Sequence, residues 1–360
     1  MNVSDRGTDA TENITKVADA ETELPPGKLP AALLARLIDT YVTPHKSVLV
    51  GPGLGRDAAA IDFNGSTMVV KSDPITFATT HAAQYLVTIN ANDLACLGAR
   101  PRWLLVVALL PELGTTPTSV ETHFRELSLA CDAAGIALIG GHTEITSGLT
   151  RPILVGTLMG DIAPGELLVP GGARAGDVIV MTKSIAIEGT ALLATDLRDS
   201  LTSTFDKHWL NRASDLLLDP GISVVADARL LLQFGEVTAL HDPTEGGLAT
   251  GIHELANAAG LGAELDTDVV PVLTQTQELA GQLGLNPLGM LASGTLLATI
   301  PENRLKSVSS SLAGNLRFTL IGRMLPPQSG FWQIRGGMRA PLPYFARDEV
   351  ARALAMQSDQ

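Results

Sequence analysis

Apolar positions at Leu29, Leu33, Leu37 and Tyr41 recur every four residues and stop before Pro44. That spacing predicts a short amphipathic helix after Pro25-Pro26-Gly27, packed on the domain that follows. From residue 47 to 70 short β-rich runs alternate with Gly and Asp, which predicts strand, loop, strand. The small-residue segment 80–98 predicts a helix able to lie close against a sheet, and 103–110 an apolar strand. Ser119 stands where a cap for a second helix is expected, with Val120, Phe124, Leu127, Cys131 and Ala134 on one face and Gly135 as its stop. Strands are expected at 136–139 and 153–159.

Residues 164–176 are rich in Gly and Pro with few periodic positions, so a domain boundary is expected there. Beyond it the pattern predicts a strand at 178–182, helices at 188–198, 205–218 and 222–233, and a strand at 237–240. A helix with Leu248, Ile252, Leu255 and Ala259 on one face follows Asp242-Pro243-Thr244-Glu245-Gly246-Gly247. Strands at 294–300 and 318–322 flank a helix near 302–313, so both halves mix strands and helices. No repeat of 20 to 50 residues is visible.

A length of 360 residues fits two domains, and 45% hydrophobic against 18% charged residues indicates a globular chain. Residues 1–24 differ: eight charged side chains and little apolar periodicity predict a solvated arm. The longest uncharged apolar run, 103–110, is far shorter than the ~20 residues a membrane helix needs, and the acidic N-terminus lacks a signal-peptide core. A cytoplasmic protein without membrane contact is expected. A net charge of −13 disfavours broad contact with nucleic acid, so an anionic ligand must be held locally. Cys96 and Cys131 lack metal or redox spacing and read as small buried thiols.

Candidate chemistry concentrates where acids stand beside small residues. The loop Gly51-Pro52-Gly53-Leu54-Gly55-Arg56-Asp57 offers amides to a phosphate, or is simply a turn between strands, and it matches neither dinucleotide nor P-loop pattern. Asp73 precedes Pro74, Asp93 follows Asn90 and Asn92, Glu144 follows Gly140-Gly141-His142-Thr143, and Asp242 precedes Pro243. Such scattered hard oxygen ligands suit Mg²⁺ shared with substrate phosphates. Asp93 lies inside an apolar helix, where a carboxylate needs a metal or a hydrogen-bond partner such as Asn90. His142 is either a hydrogen-bonded loop residue or a general base. Lys28, Lys71 and Lys183 are candidates to neutralise phosphate, or are solvated lysines. The Thr244–Gly247 helix start offers a second anion site, or is capped by its own side chains.

Five ordered motifs carry a resemblance: Gly55-Arg56-Asp57-Ala58-Ala59-Ala60-Ile61, Ser72-Asp73-Pro74-Ile75-Thr76-Phe77, Asn92-Asp93-Leu94-Ala95-Cys96-Leu97-Gly98-Ala99, Gly140-Gly141-His142-Thr143 and Asp242-Pro243-Thr244-Glu245-Gly246-Gly247-Leu248. Over residues 27 to 325 the chain resembles the ATP-binding superfamily of aminoimidazole ribonucleotide (AIR) synthetase. That superfamily also holds the hydrogenase maturation factor HypE, thiamine-monophosphate kinase and selenophosphate synthetase. The Gly27-Lys28-Leu29-Pro30 start, Thr182-Lys183 to Glu188-Gly189-Thr190 and the Asp-Pro-Thr motif look most like the HypE-related branch. The resemblance implies an α/β N-terminal domain that forms a homodimer through its β-sheet, and an α+β C-terminal domain. The implied division is an arm at 1–26, domains at 27–168 and 169–335, and a C-terminal tail at 336–360. It also implies ATP and Mg²⁺ as cofactors. Asp57, Asp73, Asp93 and Asp242 match the metal-binding acids, with Asp93 and His142 as catalytic candidates. Nucleotide contacts fall to Lys28, Gly53, Gly55, Arg56, Asp57, Gly140, Gly141, Thr143, Gly246 and Gly247.

The chain departs from the family at several of these positions. Arg56 stands for the first acid of the usual Gly-Asp-Asp loop, Glu245 for an arginine, and His142 for an aspartate. The maturation factor uses a C-terminal cysteine, whereas no cysteine here follows Cys131. The resulting expectation is an ATP- and Mg²⁺-dependent enzyme that activates an oxygen of a small-molecule or protein-terminus acceptor by phosphoryl transfer. The alternatives are a catalytically silent nucleotide-binding accessory protein in a maturation complex, and a thiamine-monophosphate-type kinase.

Overall fold

The computed structural model describes residues 29–76, 80–163, 165–234 and 236–358. The expected arm at 1–26, Lys28 and Phe77 lie outside the described residues. Helix α1 (Ala31–Tyr41) forms where the four-residue repeat places it, yet none of its residues is buried. Leu33 and Leu37 on its apolar face are half-buried, while Leu29 and Tyr41 at its ends are exposed.

The first domain is a six-stranded sheet. It contains β1 (Val48–Val50), β2 (Ala59–Phe63), β3 (Ser66–Ile75), β4 (Arg100–Pro111), β5 (Ala137–Thr146) and β6 (Ile153–Ile162), in the order β1-β2-β3-β6-β4-β5. Along β6 burial alternates residue by residue, as a strand with one covered face requires. Helix α2 (Ala82–Cys96), between β3 and β4, covers that face. The missing side chain of Gly156 on β6 permits the close approach: a Cβ there would sit 3.0 Å from Asn90 and 3.1 Å from Leu86.

Strands β4 and β5 are the parallel pair of this sheet, joined by α3 (Pro117–Ala134). Thr116, not Ser119, caps that helix. The Thr116 hydroxyl accepts from the Ser119 amide at 3.2 Å while Ser119 Oγ accepts from the Thr116 amide at 2.9 Å, so Ser119 is the third residue of a reciprocal box. The expected strand at 136–139 extends to Thr146 and includes Gly140-Gly141-His142-Thr143, because parallel pairing with β4 continues through the two glycines. The close fit explains them: a Cβ on Gly141, at φ +145°, would fall inside the Val106 carbonyl oxygen, at 1.8 Å. Nine of the ten residues of β5 are exposed.

The second domain begins with β7 (Val178–Thr182), then α4 (Ile187–Asp196), the short α5 (Arg198–Leu201), α6 (Lys207–Ser214) and α7 (Val225–Phe234). Strand β8 (Ala239–His241), α8 (Gly247–Ala258), β9 (Gly262–Asp266), α9 (Thr274–Leu283), β10 (Leu296–Ile300), α10 (Leu305–Leu312) and β11 (Phe318–Leu325) follow. The last elements are β12 (Phe331–Arg335), β13 (Met338–Pro341) and α11 (Glu349–Ser358). The seven-stranded sheet runs β13-β12-β9-β11-β7-β10-β8, antiparallel except for β12 beside β9. Residues expected as a C-terminal tail are thus part of this domain. β13 extends the sheet edge through β12, and Leu342, Val350 and Ala353 are buried.

Candidate functional site

The last turns of α2 set the geometry. Residues 90, 92, 93 and 96 span two turns of a helix wedged between the two domains, so their side chains leave it in different directions. Asn90 accepts from the Asp73 amide at 3.2 Å and donates to the Leu86 carbonyl, locking β3 to the helix. Asn92 donates to the Ile222 carbonyl and accepts from the Val224 amide, both at 2.9 Å, which ties the helix to the second domain. Asp93 lies 3.0 Å from Lys71 Nζ, and the same ammonium is 3.1 Å from Asp73. Cys96 Sγ donates to Asp242 Oδ1 at 3.3 Å.

From the other side, β8 delivers His241 and Asp242, both buried. His241 Nδ1 stands 3.1 Å from Asp57 Oδ2 and Nε2 3.1 Å from Glu254 Oε2 on α8. The first glycine loop rests directly on α8. Gly55 has φ +67°, and a Cβ there would meet the Glu254 carbonyl oxygen at 2.7 Å.

Asp57, Asp73, Asp93 and Asp242 therefore converge, as the spacing alone could not establish. With Glu254 they place five carboxylates around two basic groups, Lys71 and His241. Burial, reinforced by Asp242, pushes Asp93 well above the carboxylate range against the pull of Lys71. Burial and then Asp57 push Asp242 up to about 7, with His241 opposing. Burial alone would lower His241, but Asp57 and Glu254 outweigh it and hold the imidazole well above its usual value. Lys71 is likewise held charged by Asp93 and Asp73 against its own burial. Burial and the neighbouring Asp242 raise the Cys96 thiol. Asp242 Oδ2 has no hydrogen-bond partner, and Asp93 Oδ2 has only the Lys71 ion pair. Orphaned carboxylate oxygens inside an acid excess fit a divalent cation.

Other expected residues lie elsewhere. His142 pairs with Glu144 at 2.9 Å on exposed β5. With Gly140, Gly141 and Thr143 it lies on a strand three spacings, about 14 Å, from the β3 strand that carries Asp73. A catalytic His142 within the same chain is therefore not supported. Arg56 folds back to donate to the Gly51 carbonyl at 3.1 Å, and the Arg56 guanidinium lies against Gly53. Lys183 is held by the Ser223 and Gly221 carbonyls. The Gly246 amide donates to Asp348 Oδ2 at 2.7 Å and the Gly247 amide to the Thr244 carbonyl, so neither is open to phosphate. Both glycines have positive φ and close backbone neighbours instead. Glu245 accepts from the Thr244 hydroxyl.

His241, Glu254 and Cys96 were missed or underread in the sequence. The signal for the first was its place directly before Asp242, an ionisable pair closing a short apolar strand.

The fold is that of the AIR synthase related proteins. The N-terminal domain of that family matches residues 55–162 and its C-terminal domain residues 174–334, and the chain belongs to it. Its relatives include the carbamoyl dehydratase HypE of Cupriavidus necator, 28% identical over 299 residues that span 79% of this chain and 82% of that protein. Among solved structures, the HypE–HypF complex matches with a TM-score of 0.70 at 17% identity, over 88% of this chain and 100% of that one. HypE in complex with ATP matches with a TM-score of 0.67 at 23% identity, over 88% and 96%. These two structural likenesses show the fold. Among the described residues no helix is long and apolar enough to cross a membrane.

Proposed function

We propose that this chain is an ATP- and Mg²⁺-dependent enzyme that activates an oxygen atom of an acceptor, a small molecule or a protein terminus, by phosphoryl transfer. The observation that carries the reading is the convergence of Asp57, Asp73, Asp93 and Asp242 from separate elements, with Asp242 Oδ2 unpartnered. Membership of a family whose HypE relative is a carbamoyl dehydratase, and whose solved HypE binds ATP, supports it. Phosphoryl transfer depends chiefly on charge neutralisation and alignment. Magnesium would be held by the four aspartates and would supply charge for the ATP phosphates. Lys71, fixed by Asp73 and Asp93, is a permanent cation at the edge of that set. The hydrogen bonds of Asn90 to β3 and of Asn92 to residues 222 and 224 tie the acid-bearing helix to both domains.

The exposed β5 edge, with Leu138, Ile139 and Ile145 uncovered, supports a homodimer formed through the first sheet. The HypE–HypF complex makes a protein partner a natural acceptor or donor, and a cytoplasmic location accords with that setting.

The test is calorimetric titration with ATP, with and without Mg²⁺, followed by ADP release from the same sample. Metal-dependent binding with slow ADP release is expected. The double substitution Asp73→Asn and Asp93→Asn should abolish Mg²⁺-dependent turnover, and turnover that survives it refutes the site. Circular dichroism of the variant separates lost chemistry from lost folding. Binding without ADP under any acceptor would favour the accessory reading.

A further inference from the structure

Away from the acid cluster, α2, α4 and the turn at 214–218 enclose a cavity of about 70 Å³ on the seam between the two domains. At roughly 10–15 Å³ per water it has room for about five to seven waters, or for a ligand of similar size. Tyr85 reaches it from α2 of the first domain, and Asp196, Ser214 and Asp215 from the second. Along α2 the rise from Tyr85 to Asp93 is about 12 Å, which sets the cavity apart from the acids already described. Leu192 and Leu217, 4% and 5% exposed, give it an apolar wall. Tyr85 is 3% exposed, and the buried Ser214 Oγ has no hydrogen-bond partner. A buried hydroxyl in that state is costly unless a water or a ligand completes it. Asp196 and Asp215 line the same cavity from exposed positions and close no ion pair among the described residues. Partial burial raises the Asp196 carboxyl, with Arg151 of the β5–β6 loop opposing. Burial and then Glu188 and Asp196 push the Tyr85 phenol upward, so it stays neutral. Against the two carboxylates, the basic side chain among the described lining residues is His81.

We propose that this seam cavity is a second ligand site, separate from the acid cluster, that takes a small organic cation with several N–H donors, an alkylammonium or alkylguanidinium. The charged nitrogen pairs with Asp196 and Asp215, an N–H completes Ser214 Oγ, and the short carbon chain lies against Leu192 and Leu217. Charge-assisted hydrogen bonds of this kind are open neither to an anion nor to a neutral alcohol. A bound cation touches α2 on one side and α4 on the other, so it bridges the two domains. The site stands independently of the ATP-dependent function proposed above.

The chain has three tyrosines, Tyr41, Tyr85 and Tyr344, so full-length protein labelled at its tyrosine rings reports on the cavity through one residue by NMR. Tyr85→Phe assigns the signals. Butylammonium and ethylguanidinium chlorides are titrated at constant ionic strength, beside sodium butyrate and 1-butanol. At least one cation should move the Tyr85 signals saturably, about tenfold or more tightly than butyrate or butanol, and leave Tyr41 and Tyr344 in place. The tighter of the two cations tells an ammonium site from a guanidinium site. Asp196→Asn should weaken binding about tenfold, and Ser214→Ala about three- to tenfold. Asp199→Asn, an exposed acid of α5 outside the cavity, should leave it within about twofold. Butyrate or 1-butanol bound as tightly as the cations, a shift that does not saturate, or full affinity in Asp196→Asn each overturns the proposal. ATP titrated with Mg²⁺ should bind the unsubstituted protein and Asp196→Asn alike. Absence of ATP binding in both would count against the function proposed above and leave the cation site standing.

Discussion

Glu188, in the first turn of α4, is 4% exposed and its Oε2 has no hydrogen-bond partner. Burial raises its carboxyl to about 8, with Ser293 opposing and Glu245 and Asp348 adding to the rise. A carboxyl whose folded value lies above its unfolded value stabilises the fold while it is neutral. That contribution is complete below about pH 4.5 and is lost as pH climbs through 8. The expected outcome is a stability that falls between those limits by a few kcal/mol, read as a denaturation midpoint against pH, with Glu188→Gln flattening the slope. An unchanged slope in the variant contradicts the assignment. At this scale the acids of the candidate site were legible, because a carboxylate beside small residues in an apolar run demands a partner. Lys71 as that partner for Asp93 was not legible, since a strand lysine 22 positions away gives no local sign of turning inward. Cys96 was read as an inert thiol because its contact with Asp242 joins residues 146 positions apart.

Among the elements, the first glycine loop and β5 carry the clearest consequences. Gly55→Ala forces a Cβ to within 2.7 Å of the Glu254 carbonyl at a backbone angle that L-residues avoid. The variant should lose on the order of 1–3 kcal/mol by chemical denaturation and should bind metal more weakly, because Asp57 follows two residues later. Strand β5 has an open edge with three exposed large aliphatics, so Ile145→Lys should shift the chain toward monomer in analytical ultracentrifugation. A wild-type monomer at all concentrations would refute dimerisation through this sheet. Most helix positions were readable from period and small-residue content, but α9 and α11 were not expected. The length of β5 was not, because adjacent glycines signal a break in sequence and only the tight approach to Val106 shows why they continue a strand. The β12–β13 hairpin escaped for a similar reason, since its role is to widen a sheet whose edge lies far away in sequence.

At the scale of the whole molecule, two domains that mix strands and helices, and a small-residue helix lying on a sheet, were foreseeable from the alternation of patterns, but the place of that helix between the domains and the division of labour along it were not. α2 works as an angular scale: Asn90 reads β3, Asn92 the 222–224 segment, Asp93 the Lys71 ammonium and Cys96 the end of β8. Each residue turns the chain by about 100°, so deleting Ala91 would rotate everything after it by that angle relative to Asn90. Each domain would keep its own sheet, while the amide clasp on residues 222 and 224 and the thiol on Asp242 would face the wrong partners together. Faster proteolytic cleavage of the 164–176 connection, with strand content retained in circular dichroism, is the expected signature. Such a phase error acts on both domains at once, which makes the angular register of α2 a quantity that neither sheet can correct alone.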